Sequence, residues 1–217
     1  MSEPTPGAQL RITEIFFSLQ GETSRIGLPT VFIRLTGCPL RCGYCDTTYA
    51  FTGGRTMSLA DILGQVAAYS PRYVTVTGGE PLAQKGCLAL LNMLCDAGYQ
   101  VSLETSGALD IAGVDPRVMR VVDIKTPASG EQEKNRWENI GLLNARDEIK
   151  FVLCDREDYD WAVGILGQLQ DICEVLFSPA QGSLDPTDLA EWILSDRLPV
   201  RFQLQLHKIL WNNEAGH

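Results

Sequence analysis

Three cysteines lie close together in residues 37–47, whose sequence is Gly-Cys-Pro-Leu-Arg-Cys-Gly-Tyr-Cys-Asp-Thr. Three residues separate Cys38 from Cys42, and two separate Cys42 from Cys45. The glycines and the proline disfavour regular helix or strand, so the segment is predicted to be a tight loop. Because cysteine thiolates hold iron–sulfur clusters, the spacing predicts that all three bind one four-iron cluster.

A four-iron cluster usually has four cysteine ligands, and a fourth is missing from this loop. The other cysteines are scattered along the chain, at positions 87, 95, 154 and 173. One iron would therefore be open to a small molecule, and S-adenosylmethionine is the known ligand of such a site in radical chemistry. The alternatives are a zinc loop and three core cysteines. A closed zinc site needs four ligands, and the chain has only two histidines.

The composition indicates a globular protein, with 217 residues of which 45% are hydrophobic. We expect one domain over residues 1–217, with a frayed N-terminus (1–9) and a C-terminal tail (211–217). The net charge of −9 argues against nucleic acid as a partner, because such binding needs a basic surface. Without an apolar signal core or an apolar run of membrane-spanning length, we expect no membrane partner and a reduced, cytoplasmic location.

Apolar segments of strand type alternate with amphipathic segments of helix type. Strands are predicted at 10–19, 30–35, 73–77, 100–104, 118–124, 148–153, 173–177 and 200–206. Helices are predicted to start near Ser58, with Asp61 completing a capping box, and at 84–97, 157–169 and 186–195, whereas 128–140 should be mobile and partly helical. This α/β pattern predicts an open partial (β/α) barrel of about six parallel strands, since eight units would be needed for closure.

Candidate functional residues follow the predicted strands, where parallel α/β folds carry their sites. They include Gly79, Glu80, Glu104, Ser106, Lys125 and Ser178 as candidate cofactor contacts. The Gly78-Gly79 pair would let the backbone approach a ligand. Several of these residues also have structural interpretations. Ser106 could simply end a strand, Lys125 could be a solvated loop lysine, Tyr44 could fill the core, and Arg34 could lie along the surface.

The three-cysteine loop followed by Gly-Gly-Glu-Pro at 78–81 resembles the radical S-adenosylmethionine superfamily. Within it, six segments together resemble the 7-carboxy-7-deazaguanine synthase family. They are 19–22, 34–38, 45–47, 76–81, 104–107 and 205–208. The resemblance extends from about residue 10 to residue 210.

The resemblance implies that 6-carboxy-5,6,7,8-tetrahydropterin is contracted to 7-carboxy-7-deazaguanine with loss of ammonia, on the route to queuosine. It implies a [4Fe-4S] cluster, S-adenosylmethionine used catalytically, and Mg²⁺, with Thr47 as an oxygen ligand. Thr47 could alternatively cap the following turn. The implied substrate contacts are Leu19, Gln20, Gly21, Arg34 and Thr77. The implied S-adenosylmethionine contacts are Tyr44, Asp46, Gly79 and Lys125.

No catalytic side chain is assigned beyond the cluster and the bound S-adenosylmethionine. The resemblance also implies a one-electron donor such as flavodoxin, and a homodimer. The nearest alternative is a radical activase that installs a glycyl radical on a partner enzyme, and a more distant one is a non-catalytic iron–sulfur or zinc module. The segment 19–22 and Arg34 favour a small substrate over a protein partner.

Overall fold

The computed structural model describes residues 8–212 and residue 216. Its strands are β1 (Gln9–Leu19), β2 (Pro29–Leu35), β3 (Arg55–Ser58), β4 (Tyr73–Gly78), β5 (Gln100–Thr105), β6 (Met119–Ile124), β7 (Glu148–Leu153), β8 (Glu174–Pro179) and β9 (Arg201–Phe202). All belong to one sheet with the order β3-β1-β2-β4-β5-β6-β7-β8-β9. The sheet is open, because β3 and β9 are its two ends among the described residues.

From β2 onward, every pairing in the sheet is parallel. Six of these parallel strands have six or seven residues, and β9 has two. The predicted open partial barrel of about six parallel strands is therefore confirmed. Parallel order brings the carboxyl ends of the strands to one rim, which is where the site lies.

The first strand extends the sheet by antiparallel pairing, with β2 on one side and β3 on the other. Leu10 and Ile12 of β1 are buried in the core. Further along the strand, Glu14 stands opposite Arg34 of β2. The strand therefore carries core side chains at its start and polar side chains where it reaches the rim.

The helices are α1 (Leu59–Ala68), α2 (Cys87–Asp96), α3 (Arg156–Leu166), α4 (Pro186–Asp196) and α5 (Leu206–Trp211). Ser58 caps α1 as predicted, since its hydroxyl accepts the Asp61 amide at 3.1 Å, but the Asp61 carboxylate accepts the Ser58 hydroxyl at 2.7 Å and not the backbone amide that a full capping box would use. Each helix in the described part of the chain is too short or too polar to cross a membrane.

The core lies between the helices and the sheet. Leu90, Leu91 and Leu94 of α2 are fully buried, and burial of each such side chain stabilises the fold by about 1.5–3 kcal/mol. Cys87 is fully buried beside them, and Cys95 packs against the same cluster. Both cysteines therefore act as small core residues.

One strand was missed and two predictions about elements were wrong. Arg55–Ser58, just before the helix predicted near Ser58, pairs with β1 as strand β3. The strand expected at 200–206 is reduced to Arg201–Phe202, because the chain turns off the sheet and the Leu206 amide bonds the Gly21 carbonyl at 2.9 Å. The predicted frayed segment extends too far along the chain, since Gln9 already belongs to β1. Residues 1–7 lie outside the described residues.

Two crossovers lack the α-helix that the alternating pattern predicts. The chain passes from β5 to β6 through turns, and from β6 to β7 through short 3₁₀ helices (Pro127–Ser129, Gln132–Lys134 and Trp137–Leu142). The segment 128–140 is thus partly helical as expected, while its mobility stays a prediction. Of the expected tail, Trp211 ends α5, and residues 213–215 and 217 lie outside the described residues.

Candidate functional site

A cavity of about 560 Å³ opens at the carboxyl ends of the parallel strands. This volume lies within the range of small-molecule sites. Fifteen of the predicted site residues line it: Leu19, Gln20, Gly21, Arg34, Cys38, Cys42, Tyr44, Cys45, Asp46, Thr47, Thr77, Gly79, Glu104, Ser106 and Lys125. The structure does not bring Glu80 or Ser178 to the cavity wall.

The cysteine loop is fixed by backbone hydrogen bonds at its start and in its middle. The Gly37 amide donates to the Ala50 carbonyl at 2.8 Å, and the Gly43 amide donates to the Ser129 carbonyl at 3.0 Å. Between them, the Arg41 amide donates to the Glu131 carboxylate at 2.6 Å. The backbone that carries the three half-buried thiols is therefore held in place by hydrogen bonds, and the thiols face the cavity.

The thiols suit a cluster better than a single ion. No group of three or more His, Cys, Asp or Glu side chains in the described part of the chain is arranged to hold one metal ion. In a four-iron cluster each thiolate binds a different iron, so the three sulfurs lie further apart than the ligands of one ion. Burial raises the pKa of the Cys38 and Cys42 thiols, and the Lys125 ammonium acts in the opposite direction by favouring their thiolates.

Lys125 is buried beside the cysteines, so it is not a solvated loop lysine. Its ammonium lies 2.9 Å from the Asp123 carboxylate and 5.8 Å from the centre of the Tyr44 ring. Burial disfavours the charged form of Lys125, but Asp123 outweighs that effect and holds the lysine pKa above its usual value. The second Asp123 oxygen and the Tyr44 hydroxyl are buried without a hydrogen-bond partner among the described residues, which suits a polar ligand in this cavity.

The Gly-Gly-Glu-Pro segment binds the cysteine loop through its backbone. The Gly79 amide donates to the Leu35 carbonyl at 3.1 Å, and the Glu80 amide donates to the Gly37 carbonyl at 2.8 Å. A side chain at position 79 would place its Cβ only 2.5 Å from the Gly37 carbonyl carbon. Glycine is therefore required here for contact with the loop, whereas the sequence had suggested contact with a ligand.

Glu80 ties the ends of two strands together beneath the cavity. It is fully buried, and its carboxylate accepts the Ser106 hydroxyl at 2.6 Å, the Ser106 amide at 2.7 Å and the Thr105 hydroxyl at 2.9 Å. Ser178 is also buried, at 1% exposure. These contacts describe a structural role for Glu80, and cavity geometry gives no support to Glu80 or Ser178 as cofactor contacts.

Glu104 lies with the predicted substrate residues. Its carboxylate accepts the Thr77 hydroxyl at 2.9 Å and the Gln20 amide at 3.3 Å. Burial raises the pKa of Glu104, and the negative charge of Glu22 raises it further. The sequence had suggested Glu104 as a cofactor contact, whereas its hydrogen-bond partners here are two predicted substrate residues, Thr77 and Gln20.

Sequence analysis missed two ion pairs at this site. Lys150 of β7 pairs with Glu22, and Lys208 of α5 lies 2.7 Å from the Asp46 carboxylate. Burial works against ionisation of Glu22 and Asp46, but their lysine partners outweigh it and hold both carboxyl pKa values below the usual range. The one sequence signal for Lys150 was a charged residue inside an otherwise apolar strand.

Thr47 precedes the 3₁₀ helix Thr48–Ala50, but its side chain makes no capping hydrogen bond there. Its hydroxyl donates to the Asp46 carboxylate at 3.0 Å instead. The capping alternative is therefore wrong. Because the hydroxyl hydrogen is given to Asp46, the oxygen lone pairs remain available to a hard cation such as Mg²⁺.

Arg34 points into the cavity and is held on several sides. Its Nε donates to the Glu14 carboxylate at 2.7 Å, and the Tyr49 hydroxyl donates to the same Glu14 oxygen at 2.8 Å. The guanidinium also lies 5.8 Å from the ring centres of Phe16 and Tyr49. Arg34 is therefore not a surface side chain, and no sequence pattern indicated that Glu14 and Tyr49 would contact it.

An open parallel barrel with a three-cysteine loop at its strand ends defines a radical S-adenosylmethionine protein. The model of the Radical SAM superfamily matches residues 32–127. Sequence identity to known proteins then indicates the family within this class. The chain is 49% identical to the 7-carboxy-7-deazaguanine synthase of Chlorobaculum tepidum, over 96% of this chain and 97% of that protein. It is 45% identical to the synthase of Koribacter versatilis, over 95% and 99%.

A crystal structure of QueE from Escherichia coli matches the fold with a TM-score of 0.75, at 26% sequence identity, over 92% of this chain and 95% of that one. The chain belongs to the 7-carboxy-7-deazaguanine synthase family. Radical chemistry in this class uses a [4Fe-4S] cluster and S-adenosylmethionine, and the three thiols and the cavity beside them fit both groups.

Proposed function

We propose that this protein converts 6-carboxy-5,6,7,8-tetrahydropterin to 7-carboxy-7-deazaguanine with loss of ammonia, in deazapurine biosynthesis. The observation that carries the proposal is one cavity in which the cysteine loop faces a group of polar side chains from four neighbouring strands. Glu14, Arg34, Thr77 and Glu104 come from β1, β2, β4 and β5, which are adjacent in the sheet. A polar heterocycle with a carboxylate matches this wall.

The cofactors occupy the side of the cavity that carries the cysteines. Cys38, Cys42 and Cys45 hold the cluster, and S-adenosylmethionine binds beside them. When bound, these groups supply the one-electron chemistry that removes and returns a substrate hydrogen. The Lys125 ammonium favours the thiolates and offers a cation to the S-adenosylmethionine carboxylate, while Asp123 keeps that lysine charged. Tyr44 lies next to Lys125, where an adenine ring could pack.

The substrate occupies the side formed by the first strands of the sheet. Arg34 binds the substrate carboxylate through its terminal nitrogens. Glu104, Thr77 and Gln20 form a hydrogen-bonded group that meets the donors and acceptors of the pterin ring. Leu19 and Gly21 complete the wall. These side chains orient the substrate next to the cofactor side of the cavity.

Magnesium is held by few protein atoms. Mg²⁺ keeps several waters and takes one or two protein ligands together with substrate oxygens. Thr47 supplies one oxygen, and Asp46 and Lys208 fix its orientation through the hydrogen bond to its hydroxyl. The metal therefore assists substrate binding and is not required to hold the cluster.

The proposal extends to the electron donor, the oligomeric state and the cellular location. A one-electron donor such as flavodoxin would be the redox partner of the cluster site, the protein would form a homodimer, and it would act in the cytoplasm as one domain over residues 1–217. The synthase names of the two relatives favour this reaction over the activase alternative.

An anaerobic assay tests the reaction. The reconstituted protein is given S-adenosylmethionine, Mg²⁺, a reductant and the carboxytetrahydropterin, and 7-carboxy-7-deazaguanine is followed by mass. We expect many turnovers for each S-adenosylmethionine, because the cofactor is regenerated. An absence of deazaguanine with a fully loaded cluster would refute the proposal. Consumption of one S-adenosylmethionine per event on a protein partner would support the activase instead.

A further inference from the structure

Within residues 8–212 and residue 216, Glu14 is the one carboxylate that forms an ion pair with the arginine that the proposed function assigns to the substrate. Glu14 and Arg34 are directly opposite each other in the antiparallel pair of β1 and β2. The pair is largely shielded, with side chains 16% and 21% exposed for Arg34 and Glu14 respectively. Such a carboxylate needs an explanation, because it lowers the net positive charge of a site that must attract an anion.

The explanation lies in which nitrogen Glu14 occupies. The hydrogen bond uses Nε of Arg34, so it leaves the two terminal nitrogens uncommitted to Glu14. An arginine binds a carboxylate through two parallel N–H groups in a rigid fork. With Nε occupied, only the edge formed by the two terminal nitrogens can bind the substrate carboxylate in this way.

Neighbouring side chains keep Glu14 and Arg34 in this geometry. The Tyr49 hydroxyl donates to the oxygen that accepts Nε, at 2.8 Å. The rings of Phe16 and Tyr49 both lie 5.8 Å from the guanidinium carbon, so the guanidinium has one aromatic neighbour from β1 and one from the segment that follows the cysteine loop. The backbone register then places Arg34 beside Thr77, which leads to the pterin side of the cavity.

We propose that Glu14 is a positioning residue that fixes the Arg34 guanidinium with its terminal nitrogens toward the substrate, and so sets the selectivity for pterins that carry a carboxylate. The inference rests on the proposed function, since it needs Arg34 to bind the substrate carboxylate. It predicts that orientation, and not net charge, governs the contribution of Glu14.

Two substitutions separate orientation from charge. Glu14→Gln keeps an oxygen acceptor for Nε and removes the negative charge, whereas Glu14→Ala removes both. If Glu14 acted only by repelling anions, both variants would bind a carboxylated pterin more tightly than the wild type. If it positions Arg34, the glutamine variant should keep most of the affinity and the alanine variant should lose it.

The measurement is equilibrium binding to the anaerobically reconstituted protein, with the stable fluorescent probes 6-carboxypterin and unsubstituted pterin. We expect Glu14→Gln to stay within about threefold of wild type for 6-carboxypterin, and Glu14→Ala to weaken it about tenfold, the size of one lost charge-assisted contact. Pterin binding should change less than about twofold in both, since pterin has no carboxylate for Arg34. Glu174→Ala is the matched control, because it removes a carboxylate that pairs with Arg201 at 2.8 Å at the other end of the sheet.

Kinetics give an independent reading. Loss of orientation in Glu14→Ala should raise KM for the carboxytetrahydropterin with a smaller effect on kcat, and Glu14→Gln should rescue it. A merely structural role would lower the active fraction and leave KM unchanged. The inference is overturned if Glu14→Ala keeps wild-type selectivity for 6-carboxypterin, or if both variants bind it more tightly. If the wild type does not distinguish the two pterins, Arg34 does not bind the carboxylate and the positioning role fails, whereas failure of the proposed function shows separately, as the absence of 7-carboxy-7-deazaguanine in the turnover assay.

Discussion

An alanine at position 79 would place a methyl group against the backbone of the cysteine loop. The methyl carbon would lie 2.5 Å from the Gly37 carbonyl carbon and 3.0 Å from Cys38 Cβ. Carbon atoms pack best at about 3.5–4.0 Å, so one segment must move by about 1 Å. Both obstructing groups belong to the backbone or to its first side-chain atom, and neither can rotate out of the way.

The size of the effect follows from this overlap. Overpacking of one methyl costs about 1–3 kcal/mol, and a protein of this length loses about 2–4 °C in Tm for each kcal/mol. The displaced residues include Cys38, so the larger consequence should be functional. The hydrogen bond from the Glu80 amide to the Gly37 carbonyl, 2.8 Å long, would be lost or lengthened at the same time.

The assay compares Gly79→Ala with Gly43→Ala, a substitution within the cysteine loop itself. A Cβ at position 43 would meet only the Ala128 carbonyl oxygen, at an ordinary 3.6 Å. After anaerobic reconstitution, iron and sulfide are counted and the Tm of the apoprotein is recorded. We expect Gly79→Ala to bind substoichiometric iron and to melt a few degrees lower, and Gly43→Ala to resemble the wild type in both measurements.

A Gly79→Ala protein with a full complement of four irons and normal turnover would refute the reasoning. That result would mean that the loop can retreat without moving its thiols. Equal losses in both variants would also contradict it, because they would show a general fragility of the loop instead of one close approach.

Other predictions concern the cysteines and the metal. Cys42→Ala should lose iron and activity with the fold retained, whereas Cys87→Ala and Cys154→Ala should keep the wild-type iron content; loss of one iron in either would reveal a fourth protein ligand. Thr47→Ala should weaken the rise in initial rate with Mg²⁺, and Thr47→Ser should preserve it. An unaltered response in the alanine variant would contradict the assignment of Thr47 as a metal ligand. Burial and the Asp158 carboxylate raise the pKa of Cys154 to about 11. Its alkylation at pH 8, followed by peptide mass, should therefore be about a hundredfold slower than that of an ordinary thiol and should accelerate as the pH rises toward 11, because only the thiolate reacts.

The sequence was most informative where chemistry and local backbone coincide. The spacing of Cys38, Cys42 and Cys45 with its glycines predicted a loop, and the loop lies at the rim as expected. Apolar strands followed by polar residues predicted the parallel sheet and its functional edge. These features depend on short stretches of chain, so a pattern of a few residues is enough to recognise them.

The sequence could not reveal partners that are distant along the chain. Gln205 bonds Glu22 across 183 residues, and Lys150 reaches the same carboxylate across 128. The contacts of Glu80 and Glu104 could not be foreseen for the same reason. Both lie at strand ends, where ligand-binding residues are expected, and only the folded structure shows that Glu80 bonds Thr105 and Ser106 while Glu104 bonds Thr77 and Gln20.

The predicted ends of strands and helices were wrong where tertiary contacts override the local conformational preference. Residues 203–206 have the apolar and polar alternation of a strand, yet the Leu206 amide is drawn to the Gly21 carbonyl and α5 begins there. Arg55–Ser58 is four residues long, and its pairing with β1 across more than forty residues has no local signature.

The contact between α5 and the cysteine loop also bears on how the holoprotein is made. Asp46 leaves the ribosome long before its neighbour Gln205, which is 159 residues further along the chain. At about 5–20 residues per second, that interval lasts about 8–30 s. Throughout it, the three thiols exist without the C-terminal wall of their cavity. The nascent chain thus offers the cluster-assembly machinery a loop that is open on one side, and closure by Lys208 comes last.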